Sequence, residues 1–359
     1  MVTMLTIAAV ALAFWVAPRP AGAVILAGPT PRNTSPPTGS LANSGWQFQA
    51  QFAGFLGTPV SSKYFLTAQH IGGGVGGSVD YAGQTYFTDQ FVDVPNTDLR
   101  LWRISGTFPT WAPMWNTSID GNEVNRRFVV FGRGTQRGQP LYGPINGPVQ
   151  PSLAPTGPQE ITPDYNDHFP PGYEIKGYTW GPEDRVQSWG ENTVKQVVNF
   201  GPDFGQYLYF TFDANGLANE AHLSAGDSGG GVFIRSPTTG QWKLAGINYG
   251  VDGPYRFQPE SASFFAAMLD TSGLFAGEPP VLVSPEGMHK PNGGYVSRVS
   301  ASRIFIESVI NATALDATSA AVPEPSTAAI LGVSAVWALR ARRRTTTPDV
   351  PTARCGAPS

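Results

Sequence analysis

Short, mostly apolar or alternating runs recur along the chain from Trp46 onward, and Gly, Pro or Asn residues interrupt them. Such runs, bounded by turn-forming residues, predict short β-strands. No long amphipathic helix separates them, so the pattern predicts an all-β barrel or sandwich. The predicted strands cover residues 47–55, 60–67, 84–94, 99–104, 128–131, 207–213, 231–235 and 242–248.

A region rich in Pro and Gly, at about residues 133–194, interrupts this series of strands. It contains two Trp-Gly steps, at Trp180 and Trp189, and such aromatic residues are more often used for packing than for recognition. We expect an inserted loop system or a hairpin that covers the domain. No repeat of fixed period is visible.

Composition narrows the classes of function. The chain has 359 residues, of which 41% are hydrophobic, so it can bury a substantial core. A net charge of −3 and the lack of a basic, aromatic-laced run argue against a nucleic-acid partner. Cys355 is the only cysteine, which excludes a disulfide framework, and His70, His168, His222 and His289 lack metal-site spacing. We therefore predict no metal and no organic cofactor.

The N-terminus has the pattern of a secretory signal peptide at residues 1–23. An apolar run from Leu5 to Val16 is followed by a Pro/Arg break and by Ala21-Gly22-Ala23, a typical cleavage site. The usual Lys or Arg before the apolar run is missing. Residues 24–45, with several prolines, are expected to be an irregular segment before the main domain.

The C-terminus carries a second targeting pattern after a small-residue linker at 313–321. Residues 322–344 contain Val-Pro-Glu-Pro, an apolar stretch at about 327–339 and an arginine cluster, and a polar tail (345–359) follows. The order is that of a stop-transfer signal, although the apolar stretch is shorter than the roughly 20 residues of a stable span. The pattern resembles the PEP-CTERM sorting signal of Gram-negative-type bacteria. That resemblance implies an exosortase-type partner and a transient or short membrane anchor.

The turn Gly226-Asp227-Ser228-Gly229-Gly230-Gly231 is the strongest candidate for chemistry. A serine hydroxyl becomes a nucleophile when a base takes its proton, and backbone N–H groups beside it can stabilise developing negative charge. His70 ends one predicted strand and could be the base, and Asp98 begins another and could orient it. Each residue alone has an ordinary structural explanation, but the three together at strand ends are a specific pattern.

These motifs resemble those of the trypsin-like (chymotrypsin-fold) serine proteases. The matching segments are Thr67-Ala68-Gln69-His70, Asp98-Leu99-Arg100-Leu101, Gly226-Asp227-Ser228-Gly229-Gly230, the substrate-flanking strand Leu244-Ala245-Gly246-Ile247-Asn248-Tyr249-Gly250, and a terminal strand and helix at about 294–310. The resemblance covers residues 46–312 and implies two six-stranded antiparallel β-barrels with a C-terminal helix. It also implies that the site lies in the cleft between the barrels.

The resemblance assigns a role to each catalytic residue. His70 would take the proton of Ser228 and pass it to the leaving amine, while Asp98 would orient the imidazole. The backbone N–H groups of Gly226 and Ser228 would form the oxyanion hole. The substrate would be a protein or a peptide.

Three departures from the family pattern are visible. No cysteines brace the barrels, and Gly231 stands where proline is usual. No Ile-Val-Gly-Gly-like N-terminus follows the signal peptide, so activation by a freed N-terminal amine that pairs with Asp227 has no obvious trigger. Either Asp227 finds another partner or the enzyme is active once folded, and we favour the second.

The resemblance places His222, Leu223 and Ser224 at the primary substrate pocket, with Asn248, Tyr249 and Gly250 on its other side. We expect a polar pocket for acidic or small polar side chains. The alternative is that His222 points away from the pocket and is hydrogen-bonded in a loop.

Two functions follow from these observations. The first is an active serine endopeptidase that is exported and sorted to the cell envelope or surface. The second is a catalytically silent domain that serves as a surface adhesion or matrix-binding module, which the Trp/Gly-rich region and the sorting tail would suit. The intact set of His70, Asp98 and Ser228 favours the enzyme.

Overall fold

The computed structural model of the chain describes residues 24–30, 32–150, 172–285 and 287–319, with side chains as far as residue 312. The predicted signal peptide (1–23), the sorting segment (322–344) and the tail (345–359) lie outside these ranges. The chain divides into two units, residues 1–307 and 308–359. Within the described ranges, every helix falls short of the length or apolarity needed to cross a membrane.

Most of the regular secondary structure described in the first unit is β-strand. In chain order they are β1 (Ile25–Leu26), β2 (Ala50–Phe52), β3 (Phe55–Pro59), β4 (Tyr64–Ala68), β5 (Ser78–Tyr81), β6 (Gln84–Asp93), β7 (Leu99–Ser105), β8 (Arg127–Gly132), β9 (Thr135–Pro144), β10 (Tyr173–Glu183), β11 (Ser188–Thr193), β12 (Gln196–Asn199), β13 (Gln206–Thr211), β14 (Ala221–His222), β15 (Gly231–Arg235), β16 (Trp242–Val251), β17 (Tyr255–Arg256), β18 (Ala266–Met268), β19 (Phe275–Ala276), β20 (Val281–Leu282) and β21 (Gly293–Arg298).

The described helices are few. The α-helices are α1 (Thr117–Asp120) and α2 (Val299–Ser319), and single 3₁₀ turns lie at Gly39–Leu41, Trp46–Phe48 and Gln69–Ile71. Helix α2 begins in the first unit and ends in the second. It extends beyond both ends of the expected terminal helix, at about 302–310, and into the expected linker at 313–321.

The first half of the main domain is a closed barrel in the order β2-β3-β4-β7-β6-β5. Large aromatic side chains fill it: Phe65 and Trp102 are fully buried, and Phe52 packs on Trp102 with ring centroids 5.0 Å apart. The Trp102 indole N–H donates to Thr67 Oγ1 at 3.1 Å, so the polar atom of this large ring is satisfied inside the core.

The second half is a seven-stranded antiparallel sheet in the order β11-β8-β15-β16-β21-β13-β12. Its core includes Trp115, Phe128 and Phe210. The closed six-stranded barrel, this sheet and the terminal helix confirm the predicted all-β, chymotrypsin-like fold class, although the second half is a seven-stranded sheet where a second six-stranded barrel was expected. Each predicted strand overlaps an observed one, although the one predicted at 60–67 begins only at Tyr64. The one predicted at 47–55 starts within the 3₁₀ turn Trp46–Phe48, and a turn in which Ala53 and Gly54 both have positive φ divides the rest.

The described residues of the Pro/Gly-rich region include a hairpin, and residues 151–171 of that region lie outside the described ranges. Strands β9 and β10 pair antiparallel, and β18 joins them in a three-stranded sheet. The predicted range for the insertion is wrong at its C-terminal end, because β11 pairs with β8 in the main sheet. The segment expected to be irregular at 24–45 likewise contains a strand, since β1 pairs with β14.

We expect Phe65→Ala to lower the free energy of unfolding by about 3–5 kcal/mol, because it empties a fully buried ring site. Phe87→Ala is the matched control: Phe87 lies in the same barrel but is 54% exposed, and its truncation should change stability by no more than about 0.5 kcal/mol. Urea unfolding followed by tryptophan fluorescence measures both. Equal losses in the two variants would contradict the assigned barrel core.

Candidate active site

Pairing of β4 with β7 brings His70 and Asp98 together. Ala68 and Leu99 are paired, so the residues just beyond these strand ends are neighbours. His70 Nδ1 lies 2.6 Å from Asp98 Oδ2, and the His70 backbone N–H donates to Asp98 Oδ1 at 3.0 Å. One carboxylate therefore fixes both the ring and the backbone of the histidine.

Ser228 reaches the histidine from the other half of the domain, in the turn between β14 and β15. His70 Nε2 lies 2.8 Å from Ser228 Oγ, within hydrogen-bond distance. The turn needs glycine at Gly226, where φ is +91°. It also needs glycine at Gly230, because a Cβ there would lie 2.0 Å from the Phe131 carbonyl oxygen. The three predicted catalytic residues are thus brought together.

The backbone N–H groups around Ser228 fall into two sets. Those of Gly229 and Gly230 donate to the carbonyl oxygens of Asn248 and Asp227. Those of Gly226 and Ser228 form no hydrogen bond within the part of the chain that the structure describes. Backbone donors beside a nucleophile that have no partner within the protein are what an oxyanion hole requires.

The Asp227 carboxylate holds this turn from inside the protein. Only 1% of the residue is exposed, and its oxygens accept hydrogen bonds from the backbone N–H groups of Ser224 (2.8 Å), Gly134 (2.9 Å) and Val24 (3.3 Å). The Ser224 hydroxyl also donates to it, at 2.9 Å. Burial raises the pKa of Asp227 to about 6, and these hydrogen bonds oppose the rise.

Val24 was not among the residues predicted for the site. It is the first residue after the predicted cleavage site, and it is 1% exposed. Asp227 therefore has a partner at the start of the domain, which is the alternative that the sequence analysis did not favour. A sequence signal was present, because Val24-Ile25-Leu26 is an apolar triplet directly after the small residues of the cleavage site.

Asn248 braces the same turn from the neighbouring strand β16. Its side-chain NH₂ donates to the carbonyl oxygens of Phe131 (2.7 Å) and Asp227 (2.9 Å). Its backbone N–H donates to the Gly230 carbonyl. Asn248 and Asp227 together give the turn the support that a disulfide could have supplied.

A cavity of about 970 Å³ opens beside His70 and Ser228. Leu223, Ser224, Asn248, Tyr249 and Gly250, all predicted for the substrate pocket, line it. The Ser224 hydroxyl donates to Asp227 and accepts from the Thr135 N–H, so its hydrogen bonds are made within the protein.

His222 is the predicted pocket residue that the structure places elsewhere. It is fully buried, with Nδ1 at 2.8 Å from the Leu223 carbonyl oxygen and Nε2 at 3.3 Å from that of Gly293. Burial lowers its pKa to about 4. The prediction of His222 as a pocket residue is corrected to the alternative, a histidine turned inward, because β14 pairs with β1 and points this ring at Phe212.

Sequence reasoning missed the aromatic side chains that line much of the cavity. Among them are Trp180, Phe200, Phe204 and Phe265. Trp180 and Phe265 stack with centroids 5.0 Å apart, and Phe200 and Phe204 belong to the turn between β12 and β13. Two phenylalanines in a Gly-Pro-Asp turn were the available signal, since such turns are usually polar.

Glu174, Asp270 and His289 form a second titratable cluster, in which one ligand atom from each lies within 4.8 Å of the others. The ammonium group of Lys176, which is fully buried, lies 2.7 Å from both Glu174 and Asp270. Lys176 thus contacts both carboxylates, and His289 Nδ1 lies 3.0 Å from Asp270 Oδ2, so ion pairing accounts for the closeness of these groups.

We expect Asp227 to lower the free energy of unfolding of the full chain as the pH rises from about 4 to about 6. Its folded-state pKa of about 6 exceeds the ordinary value of 3.8, so the folded protein holds this proton more tightly than the unfolded chain and loses stability as pH rises. Asp227→Asn should remove this part of the slope. The measurement is urea unfolding of both proteins across this range.

The buried Glu220, whose pKa is raised to about 7, contributes a slope of the same sign. Only the difference between the wild type and Asp227→Asn therefore reports on Asp227, and Glu220→Gln is the matched control variant. If the difference in unfolding free energy between the wild type and Asp227→Asn does not change with pH, the raised pKa of Asp227 is contradicted.

One of three comparisons with known proteins finds a likeness. No family model matches it, and a search of curated proteins finds no match. Among solved structures, it is similar to neuropsin, a serine protease expressed in the limbic system of mouse brain, at 15% identity over 75% of this chain and 96% of that chain, with a TM-score of 0.40. The chymotrypsin-like fold class is supported here by the strand topology and not by that likeness.

Proposed function

We propose that the chain is a serine endopeptidase that cleaves peptide bonds through Ser228, His70 and Asp98. The observation that carries the proposal is the continuous contact from Asp98 Oδ2 to His70 Nδ1 and from His70 Nε2 to Ser228 Oγ, at 2.6 and 2.8 Å. A histidine held by a carboxylate on one side and facing a serine on the other is the arrangement that activates a hydroxyl.

The first half of the reaction forms an acyl-enzyme. Ser228 Oγ attacks the carbonyl carbon of the scissile bond while His70 Nε2 takes its proton, and Asp98 stabilises the imidazolium. The N–H groups of Gly226 and Ser228 donate to the oxyanion. When the C–N bond breaks, the proton on Nε2 goes to the leaving amine.

The second half restores the enzyme. Water gives a proton to His70 Nε2 and attacks the ester carbon, and the proton returns to Ser228 Oγ as the acid product leaves. All groups used in these steps belong to the protein or to water.

We further propose that export and surface sorting accompany this activity. The support lies in the sequence at the two ends, the signal peptide pattern at 1–23 and the sorting pattern at 322–344, with an exosortase-type enzyme as the partner of the second. On this proposal the destination is the cell envelope or surface.

Removal of the signal peptide during export would also supply a positive charge that the site lacks. Cleavage after Ala23 would turn the Val24 backbone N–H, which already faces Asp227 at 3.3 Å, into a free ammonium group. A buried carboxylate without a cation is costly, and an ammonium in contact with it would lower its pKa and fix the turn that carries Ser228. The Val24 ammonium is the charge that the uncleaved chain lacks.

A fluorophosphonate probe tests the activity. We expect labelling of the wild type at Ser228, no labelling of Ser228→Ala, and labelling at least about a thousandfold slower in His70→Ala, because the base is lost. Ser105→Ala, which replaces an exposed serine on β7, is the control. Folded wild-type protein that does not react would favour the binding-module function instead.

The role of Val24 is tested with two proteins that differ by one residue at the N-terminus. We expect a chain that begins at Val24 to react with the probe at least about tenfold faster than one that begins at Ala23, because only the first places its ammonium at Asp227. Edman or mass analysis verifies both N-termini. Equal rates would show that the N-terminal charge is not needed.

A further inference from the structure

The turn between β12 and β13, residues 200–205, is held beside the catalytic residues. At Gly205, where φ is +72°, a Cβ would lie only 2.4 Å from the carbonyl oxygen of Asn96. Asn96 is two residues before Asp98, so the last residue of this turn packs against the segment that carries Asp98.

Two large apolar side chains of this turn are exposed at the cavity. Phe200 is 46% exposed and Phe204 56% exposed, and both line the cavity beside Ser228. Phe200 is fixed by Tyr207, with ring centroids 5.3 Å apart. Phe204 has no ring contact with the described residues. Its surface is therefore available to a ligand.

The aromatic contacts continue from the turn to the catalytic base. Tyr207 packs on Tyr249 at 4.7 Å, and Tyr249 meets the His70 ring edge-on at 5.7 Å. We call Phe200, Phe204, Tyr207 and Tyr249 the aromatic rim. The rim, His70 and Ser228 line the same cavity, so a substrate side chain on the rim shares that cavity with the bond that Ser228 attacks.

The charges of the residues that line the cavity disfavour an acidic ligand. Among the described residues that line it, none is Lys or Arg. Asp98 is engaged by His70, and Asp227 is buried with its donors. Asp203, next to Phe204, is a carboxylate of the cavity lining that has no hydrogen-bond or ion-pair partner among the described residues, and it would repel an acidic side chain.

We propose that the aromatic rim selects peptide substrates with a large apolar side chain, preferably aromatic, next to the scissile bond. The inference rests on the proposed peptidase function and names its substrate class. Burial of such a side chain against the rim and ring-to-ring contact with Phe204 both favour binding. This substrate class replaces the acidic or small polar one that the sequence analysis expected.

The test uses quenched fluorescent peptides that differ at one residue beside the scissile bond, which is Phe, Leu, Ala, Lys or Asp. We expect kcat/KM for the Phe peptide to exceed that for the Ala peptide by about 10–100-fold, with the Asp peptide cleaved most slowly. Each preparation is titrated with the fluorophosphonate probe, so that rates refer to reactive Ser228.

Variants assign the preference to the rim. Phe204→Ala should remove most of the difference between the Phe and Ala peptides, whereas Phe204→Leu should keep much of it. Phe87→Ala, with a matched exposure of 54% but on the first barrel, should leave the preference unchanged.

The outcomes separate the inference from the function on which it rests. Wild-type protein that the probe does not label contradicts the peptidase itself. Labelled protein that prefers Lys or Asp, or that shows the same Phe preference in Phe204→Ala, overturns the role of the rim. A Phe preference that Phe204→Ala removes and Phe87→Ala keeps supports it.

Discussion

Burial of the Asp227 carboxylate is the constraint on which the rest of the site depends. A charge in the interior must be met by donors, and those donors come from three separate parts of the chain: Val24, Gly134 and Ser224. Because all of them converge on one side chain, the backbone on either side of Asp227 is fixed. That backbone carries the N–H groups of Gly226 and Ser228 and the hydroxyl of Ser228.

The remaining geometry follows from where two sheets meet. The pairing of β4 with β7 sets the distance between His70 and Asp98 at one barrel, whereas Ser228 lies in the turn that leads into β15 of the other sheet. Asn248 connects the turn to strand β16 and to the Phe131 carbonyl, and so extends the support into the sheet. Hydrogen bonds and close glycine contacts thus fix the site in a domain whose described part contains no cysteine.

On the proposed function, selectivity would have a different physical origin from reactivity. The reactive groups are polar and tightly partnered, while the cavity next to them is walled by rings that are half exposed, such as Phe200 and Phe204. A turn outside the sequence motifs supplies these rings, and its position against Asn96 ties it to the catalytic segment. On that proposal, substitutions in the turn would change the substrate class without any change to His70, Asp98 or Ser228.

From the sequence one could predict most of the strands, the fold class and the three side chains that the structure brings together, His70, Asp98 and Ser228, because alternation and short motifs are local properties. The partners of Asp227, the inward rotation of His222, the extent of α2 and the place of Phe204 are decided by contacts between residues far apart in the chain, such as Val24 and Asp227. Local pattern carries no information on which buried donor meets which acceptor. Only the tertiary structure decides that, since burial makes each unmet polar group costly.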